Sequence, residues 1–191
     1  MIWITLTKTP ENHHCVDDVI LTGRFGPGWR VRPLAMSDVD DVLDAFASSD
    51  DMARQGDVTD LASARDYVRQ HVDDPDRISL VAISPDGHAQ ALAVAVISPQ
   101  NRSAWVYYWA HVLARGQGVT SSLVRFLSDW VIDNRQVERL ELGYRLNNPA
   151  SAAVARKAGF IVEGIERGKF LIEGNRYDAA VAGRLATDPR P

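Results

Sequence analysis

Two glycines that could help bind an anion lie in residues 115–120, which are Arg115, Gly116, Gln117, Gly118, Val119 and Thr120. An aromatic, strand-like stretch precedes them, and a stretch with helical spacing follows. At such a junction, main-chain N–H groups and the positive end of a helix can hold a phosphate. Thr120 and Arg115 could add hydrogen bonds to a pyrophosphate. Because glycine is also common in tight connections that bind nothing, the segment alone leaves both interpretations open.

Two well-known phosphate loops do not fit this segment. No lysine followed by serine or threonine comes after Gly118, so a nucleoside triphosphate loop would lack its lysine and its magnesium-binding hydroxyl. The dinucleotide-binding fingerprint needs a third glycine and an early βαβ unit, and neither is evident. Both of these nucleotide-binding classes are therefore excluded.

Metal chemistry is not favoured by the remaining candidate side chains. His13, His14 and Cys15 can each bind a metal, but adjacent residues of a strand point to opposite sides and no fourth ligand is evident. We therefore expect no metal site.

Hydrophobic periodicity predicts the elements that must position the glycine turn. Strands are expected over residues 29–34, 78–84, 89–98, 104–112, 137–144, 161–172 and 176–185. Helices are expected over residues 38–47, 61–72, 119–134 and 149–158. This order indicates a three-layer α/β unit around a mixed sheet, with antiparallel hairpins and at least one parallel crossover. We expect an extension over residues 1–28 that packs on a domain over residues 29–187, with a tail at residues 188–191.

Length and charge limit the classes of partner. The chain has 191 residues, 46% of them hydrophobic, which is enough for one compact core. With 21 basic and 25 acidic residues, it offers no broad basic surface to nucleic acid. No apolar stretch reaches the roughly 18 to 20 residues that span a bilayer. The single cysteine fits a reducing compartment, so we expect a cytoplasmic protein with neither nucleic acid nor membrane as a partner.

Two blocks of the sequence resemble the GNAT superfamily of N-acetyltransferases. The cofactor turn of that family has the form Arg/Gln-x-x-Gly-x-Gly/Ala, which Arg115 and Gly118 match and from which Thr120 departs. The more specific block, residues 148–160, is similar to the Asn-x-x-Ser-x-x-x-x-x-Lys-x-Gly-Phe signature of the ribosomal-protein-alanine acetyltransferase branch. The resemblance covers about residues 29–187.

The resemblance implies a single-domain, three-layer GNAT-like α/β fold with a mixed central sheet of about seven strands and four main helices. It also implies acetyl-CoA as cosubstrate and an amine as acceptor. In this family the pantetheine arm lies against the central strand, where a bulge splays that strand from its parallel neighbour. The implied cofactor-binding residues are Ala110, Val112, Arg115, Gly116, Gln117, Gly118, Val119, Thr120, Asn148 and Ser151.

The implied reaction is attack of a neutral amine on a thioester, which needs a proton acceptor and donors for the oxyanion. By resemblance, Ser151 is the acid that protonates the leaving thiolate, although Asn148 and Ser151 would also suit an ordinary helix start. Trp105 stands where many relatives carry a glutamate base. His111 could act as a base near neutral pH, or it could be structural. Further candidates in the loop that usually lines the acceptor slot are Asp50, Asp51 and Asp57.

Three hypotheses about function follow from these residues. The first is an acetyl-CoA-dependent N-acetyltransferase that acts on a protein N-terminus or on a small amine. The second is a non-catalytic acyl-CoA-binding sensor, which the Trp105 substitution keeps open. The third is an α/β interaction module without a cofactor. The alternating aromatics Trp105, Tyr107 and Trp109 could form an acceptor wall, but core packing is the better interpretation for at least two of them. The apolar start of the chain could also pair two copies into a homodimer.

Overall fold

The structure is a computed structural model and describes residues 28–191 of the chain. The predicted N-terminal extension, with the exception of Gly28, lies outside the described residues. So do His13, His14 and Cys15. Within residues 28–191, no group of three or more His, Cys, Asp or Glu side chains is arranged to hold a metal ion. None of the helices in this part of the chain has the length and apolar character needed to cross a membrane.

Seven strands form one mixed sheet in the order β1-β2-β3-β4-β5-β7-β6. The strands are β1 (Arg30–Pro33), β2 (Arg77–Ile83), β3 (Ala89–Ser98), β4 (Ser103–Ala110), β5 (Arg139–Arg145), β6 (Ile161–Ile172) and β7 (Asn175–Leu185). In the described part of the chain, β4 and β5 are the only parallel neighbours. The predicted mixed seven-stranded sheet is therefore confirmed.

Four helices cover the two faces of this sheet. They are α1 (Val39–Ala47), α2 (Leu61–Val72), α3 (Val119–Asn134) and α4 (Pro149–Lys157). One buried core lies between the sheet and α3 with α4, and includes Leu123, Leu127 and Leu140. The other lies between the sheet and α1 with α2, and includes Val42 and Leu92. This arrangement is the predicted three-layer fold.

The predicted helix bounds agree with the structure more closely than the strand ends do. Both α2 and α3 have their predicted bounds, because their apolar spacing is continuous and Asp60 accepts the Ser63 amide at the start of α2. β4, in contrast, ends at Ala110 and not at residue 112 as predicted. A short 3-10 turn at Val112–Ala114 takes over there, closed by the Ala114 amide bonding to the His111 carbonyl.

The sheet opens between its two central strands. β4 pairs with β5 at only three positions, the last of which joins Trp105 to Glu141. Beyond it the strands continue to Ala110 and Arg145 without pairing to each other. The register between β3 and β4 runs from Ser103 to Ala110 without a shift. The expected splay is therefore present, but the expected bulge is not seen in the pairing of β4 with β3.

Candidate active site

A cavity of about 300 Å³ lies where the open side of β4 meets the first turns of α3 and α4. A volume of this size falls at the lower end of the range for small-molecule sites, roughly 300 to 1,000 Å³. Its lining combines main chain of the glycine turn, one face of α4 and part of the α1–α2 connection. The lining residues are Asp51, Met52, Gln55, Tyr108, Trp109, Ala110, Ala114, Arg115, Gly116, Gly118, Thr120, Ser121, Asn148, Ala150, Ser151, Ala153, Val154 and Lys157.

The N-terminus of α3 faces this cavity without a side-chain cap. Gly116 and Gly118 have φ angles of 76° and 80°, in the left-handed region that disfavours other residues. A Cβ added at either would meet no atom within 4 Å, so conformation and not space requires glycine here. The first helical bond of α3 runs from the Ser122 amide to the Gly118 carbonyl, at 3.1 Å. The preceding amides, including that of Thr120, are therefore the ones that can donate to an anion.

Arg115 closes one side of the cavity through an ion pair. Its guanidinium donates two hydrogen bonds to the Asp51 carboxylate, at 3.1 and 2.8 Å, and its Nε donates to the Ala110 carbonyl at 3.2 Å. The Arg115 guanidinium holds the pKa of Asp51 below its ordinary value. In this structure the side chain expected to contact a pyrophosphate is thus engaged with Asp51.

Asn148 and Ser151 lie together at the start of α4. The Asn148 Oδ1 accepts the Ser151 amide at 3.1 Å, which is the helix-capping arrangement. The cap uses only the oxygen of the side-chain amide, so the Asn148 Nδ2 is the group that can donate to a ligand. Ser151 also lines the cavity, and its main-chain carbonyl accepts the Tyr108 hydroxyl at 3.2 Å. Capping and ligand binding are therefore compatible here.

Three of the predicted cofactor-binding residues do not line the cavity, namely Val112, Gln117 and Val119. The Val112 amide donates to Ser48 Oγ at 3.3 Å, because the chain has already turned away from β4. The Gln117 side chain donates to the Leu113 carbonyl. Val119 is buried in the core and could offer only its main-chain amide.

His111 lies outside the cavity and is held by two neighbours. Its Nδ1 accepts the Leu113 amide at 3.0 Å, and its Nε2 lies 3.2 Å from the Asp44 carboxylate. Since Nδ1 accepts, the proton of the neutral ring is on Nε2, and no lone pair is left for a substrate. This geometry favours the structural interpretation of His111 over the proposed base.

The alternating aromatic residues of β4, Trp105, Tyr107 and Trp109, differ in burial. Trp109 is buried in the core beside α1 and α2, and Tyr107 packs against the same core, so core packing is confirmed for both. Trp105 is 45% exposed, and its indole lies over Gly143 of β5, where a Cβ would come within 3.4 Å of the ring. The indole thus covers the place where the pairing of β4 with β5 ends.

Sequence reasoning missed several lining residues, among them Tyr108 and Lys157. The α4 face had a signal, because Ala150, Val154 and Lys157 recur at helical spacing after Asn148. Tyr108 had none, since alternation along β4 does not tell which face meets a ligand.

A second cavity, of about 550 Å³, opens on the α2 side of the sheet. Gln55 lines both cavities. Asp57, one of the predicted acceptor-side aspartates, lines the second, whereas Asp51 lines the first. The buried His71 and the partly buried Tyr107 also line the second cavity, and nothing in the sequence indicated that these two side chains are hydrogen-bonded to each other.

Known proteins with similar sequences and folds are acetyltransferases. A ribosomal-protein-serine acetyltransferase of Escherichia coli is 33% identical over 83 residues, which cover 43% of this chain and 45% of that enzyme. A crystal structure of a ribosomal L7/L12 α-N-protein acetyltransferase in complex with coenzyme A has a TM-score of 0.76 at 21% identity, covering 84% of this chain and 95% of the other. A ribosomal-protein-S5-alanine acetyltransferase from Vibrio fischeri has a TM-score of 0.75 at 17% identity, covering 86% and 96%.

The E. coli alignment thus spans less than half the length of that enzyme, whereas the structural matches extend over nearly the whole fold. The sequence profile of the acetyltransferase (GNAT) domain matches residues 29–161, beginning where the predicted domain begins. These residues include the glycine turn, the open side of β4 and the first turn of α4. The chain belongs to the GNAT acetyltransferase family and is similar to its ribosomal-protein acetyltransferases.

Proposed function

We propose that this protein transfers an acetyl group from acetyl-CoA to a primary amine by direct attack. The observation that carries the proposal is the position of the uncapped α3 start beside the opening between β4 and β5, with one cavity reaching both. The α3 start offers donors to a diphosphate. The opening offers unpaired strand edges, which can bind an extended amide-containing arm as another strand would.

The residues present suit coenzyme A. Main-chain amides from Gly116 to Ser121 would hold the diphosphate, and the edge of β4 near Ala110 would hold the pantetheine arm. Asn148 Nδ2 would donate to the arm from the α4 side. Arg115 would have to exchange Asp51 for a phosphate oxygen, an exchange that an exposed ion pair permits at low cost.

Within the cavity, Ser151 is the side chain best placed to assist the leaving group. Its main-chain amide bonds to Asn148 and its main-chain carbonyl accepts from Tyr108, and these bonds fix the start of α4. Neither bond uses the hydroxyl of Ser151, which lines the cavity. We assign it the donation of a proton to the departing thiolate. The amine nitrogen attacks the thioester carbonyl carbon, the C–S bond breaks, and the amine loses one proton to a base.

The acceptor is proposed as a protein N-terminus or a small amine. The similar solved proteins are named for acetylation of ribosomal proteins, which favours an N-terminal amine. The aspartates Asp57 and Asp66 line the second cavity together with Arg77, so a cationic amine would find carboxylates there.

Release of free coenzyme A, measured against a panel of small amines and N-terminal peptides, tests the proposal. We expect turnover on at least one primary amine and none on the same peptides with acetylated N-termini. Binding of acetyl-CoA without turnover on any acceptor would contradict the proposal and favour the sensor. Absence of acetyl-CoA binding by calorimetry would favour the interaction module.

A further inference from the structure

A partly buried chain of hydrogen bonds lies in the wall of the second cavity. The Tyr107 hydroxyl lies 3.0 Å from His71 Nε2, and His71 Nδ1 lies 2.7 Å from the main-chain carbonyl of Tyr67. A carbonyl oxygen can only accept, so Nδ1 carries the ring proton and Nε2 presents a lone pair. Tyr107 must therefore be the donor to His71, which leaves the lone pairs of the phenol oxygen for another donor.

The surroundings keep both groups in the protonation states that this chain needs. Burial lowers the pKa of His71 below its usual 6.5, so the ring is neutral at pH 7. Burial raises the pKa of Tyr107, so its hydroxyl keeps its proton. The titratable or charged groups that face His71 are Tyr67 on α2, Tyr107 on β4, Asp74 in the loop after α2, and Arg77 at the start of β2.

Tyr107 lies at the opening of the sheet. The last paired residue of β4 is Trp105, so the gap between β4 and β5 begins beside Val106 and Tyr107. Tyr108 points to the first cavity and bonds to Ser151, whereas Tyr107 points to the second. For an amine in the second cavity to meet a thioester in the first, the two groups would have to approach each other through this gap, on the side of the sheet where the Tyr107 side chain lies. Gln55, which lines both cavities, marks their meeting point.

We propose that the second cavity admits the acceptor amine and that Tyr107 with His71 takes the proton the amine loses. This inference rests on the proposed acetyl transfer. As the N–C bond forms and the C–S bond breaks, an N–H proton passes to the Tyr107 oxygen while the Tyr107 proton passes to His71 Nε2. Ser151 supplies a proton to the thiolate, and His71 returns its proton through solvent at the end of the cycle. The products are the amide and free coenzyme A, with no net proton gained by the protein once Ser151 is reprotonated.

Two substitutions and a matched control test the relay. Tyr107→Phe and His71→Gln should each lower kcat by about 100-fold, within the range of general base catalysis, with the dissociation constant of acetyl-CoA unchanged. Tyr177→Phe removes a hydroxyl from β7 away from both cavities and should leave kcat unchanged. In the wild type, kcat/KM should fall at acidic pH with an apparent pKa below 6.5, and both variants should lose this limb of the profile.

An NMR measurement that needs no turnover tests the hydrogen bonds of His71 independently. Long-range 1H–15N spectra should show His71 neutral with its proton on Nδ1 at pH 7, and Tyr107→Phe should shift the Nε2 signal. A His71 ring that is charged at pH 7, or protonated on Nε2, overturns the relay. A Tyr107→Phe variant with the same kcat and pH profile as an active wild type also overturns the relay, but it leaves the proposed function unaffected. A wild type that binds acetyl-CoA but acetylates no amine overturns the proposed function and the relay with it.

Discussion

Ser151 is the residue for which a chemical role and a structural role can be separated. Its amide holds the Asn148 cap, and this bond survives substitution because it uses the main chain. Ser151→Ala should therefore lower kcat by about 100-fold, the loss typical of a missing general acid, while acetyl-CoA affinity stays within about twofold of wild type. Coenzyme A release and calorimetry measure the two quantities. Ser151→Thr, which restores a hydroxyl, serves as the control, and unchanged turnover in Ser151→Ala would remove the assignment.

Under the proposed function, Asp51 would compete with the cofactor for Arg115. Asp51→Asn should release the guanidinium and remove a negative charge from the cavity, so the dissociation constant of acetyl-CoA should fall about threefold, as an exposed ion pair is worth up to about 1 kcal/mol. The gain should shrink at high salt. Asp40→Asn makes the same charge change on the exposed side of α1 and should leave affinity unchanged. Weaker binding by Asp51→Asn would mean that the carboxylate supports the site.

The Asp51–Arg115 pair also has a defined pH dependence. Because Arg115 depresses the pKa of Asp51 in the fold, the pair contributes at neutral pH. That contribution is lost as the pH falls below the ordinary carboxyl value of 3.8 and through the lower folded pKa. Affinity differences between Asp51→Asn and wild type should accordingly be constant between pH 6 and 8. Titration calorimetry across this range measures them.

At this scale the sequence predicts several residues that the structure places at one cavity, and it misses partners that only the fold brings together. Gly116, Gly118, Asn148 and Ser151 were recognisable because type and spacing are local properties. The pairing of Arg115 with Asp51 was not, since it joins residues 64 positions apart. The Tyr107–His71 bond joins residues 36 positions apart and was hidden for the same reason.

At the scale of elements, the proposed binding of acetyl-CoA depends on the start of α3. Gly118→Ala forces a side chain into the left-handed region and should cost about 1 kcal/mol of unfolding free energy. It should also raise the dissociation constant of acetyl-CoA about tenfold, or about 1.4 kcal/mol, because under the proposal the added Cβ would stand between the main chain and the diphosphate.

Gly87 provides a matched control for this substitution. It has a φ of 96° in the turn between β2 and β3, and an added Cβ there would also meet nothing within 4 Å. Gly87→Ala should therefore destabilise the fold by a similar amount and leave acetyl-CoA affinity unchanged. If both variants lost affinity equally, the effect of Gly118→Ala would come from lower stability and not from a lost contact with the cofactor.

Element bounds could be predicted where one periodicity runs without interruption, as in α2 and α3. The end of β4 could not, because Val112 is as apolar as the strand before it. The strand stops where its last ladder bond, from the His111 amide to the Gln90 carbonyl, gives way to the 3-10 turn. The opening of the sheet after Trp105 also has no local signal, since pairing depends on where β5 diverges.

At the scale of the whole molecule, Arg184 ties β7 to both helices of one face. It is 1% exposed and donates to the Ala158 carbonyl at 3.0 Å and to Asp129 of α3 at 2.5 Å. Arg184→Met should lower the unfolding free energy by about 2 kcal/mol, less than the loss of one partner of a fully buried pair, because Asp129 is 24% exposed and Arg125 and Arg190 also lie 3.9 Å from it. Urea denaturation measures this loss, and we expect the midpoint to fall while the m-value stays unchanged.

Arg190, in the predicted tail of residues 188–191, is the control for this prediction. It bonds to Asp133 of α3, with both side chains about half exposed. Because exposed pairs contribute little, Arg190→Met should cost less than about 1 kcal/mol. Equal destabilisation by the two arginine variants would contradict the account. The homodimer and the cytoplasmic location stay predictions from the sequence.

Main-chain amides at the start of α3 are proposed to hold the diphosphate of coenzyme A, and the proposed acetyl transfer requires this contact. Titration of the 15N-labelled protein with coenzyme A tests it directly. We predict the largest saturable amide shifts at Gly116, Gly118, Thr120 and Ser121, together with smaller ones at the start of α4 and none at Gly87. Saturable binding that leaves these four amides unshifted, or no binding at millimolar coenzyme A, would contradict it.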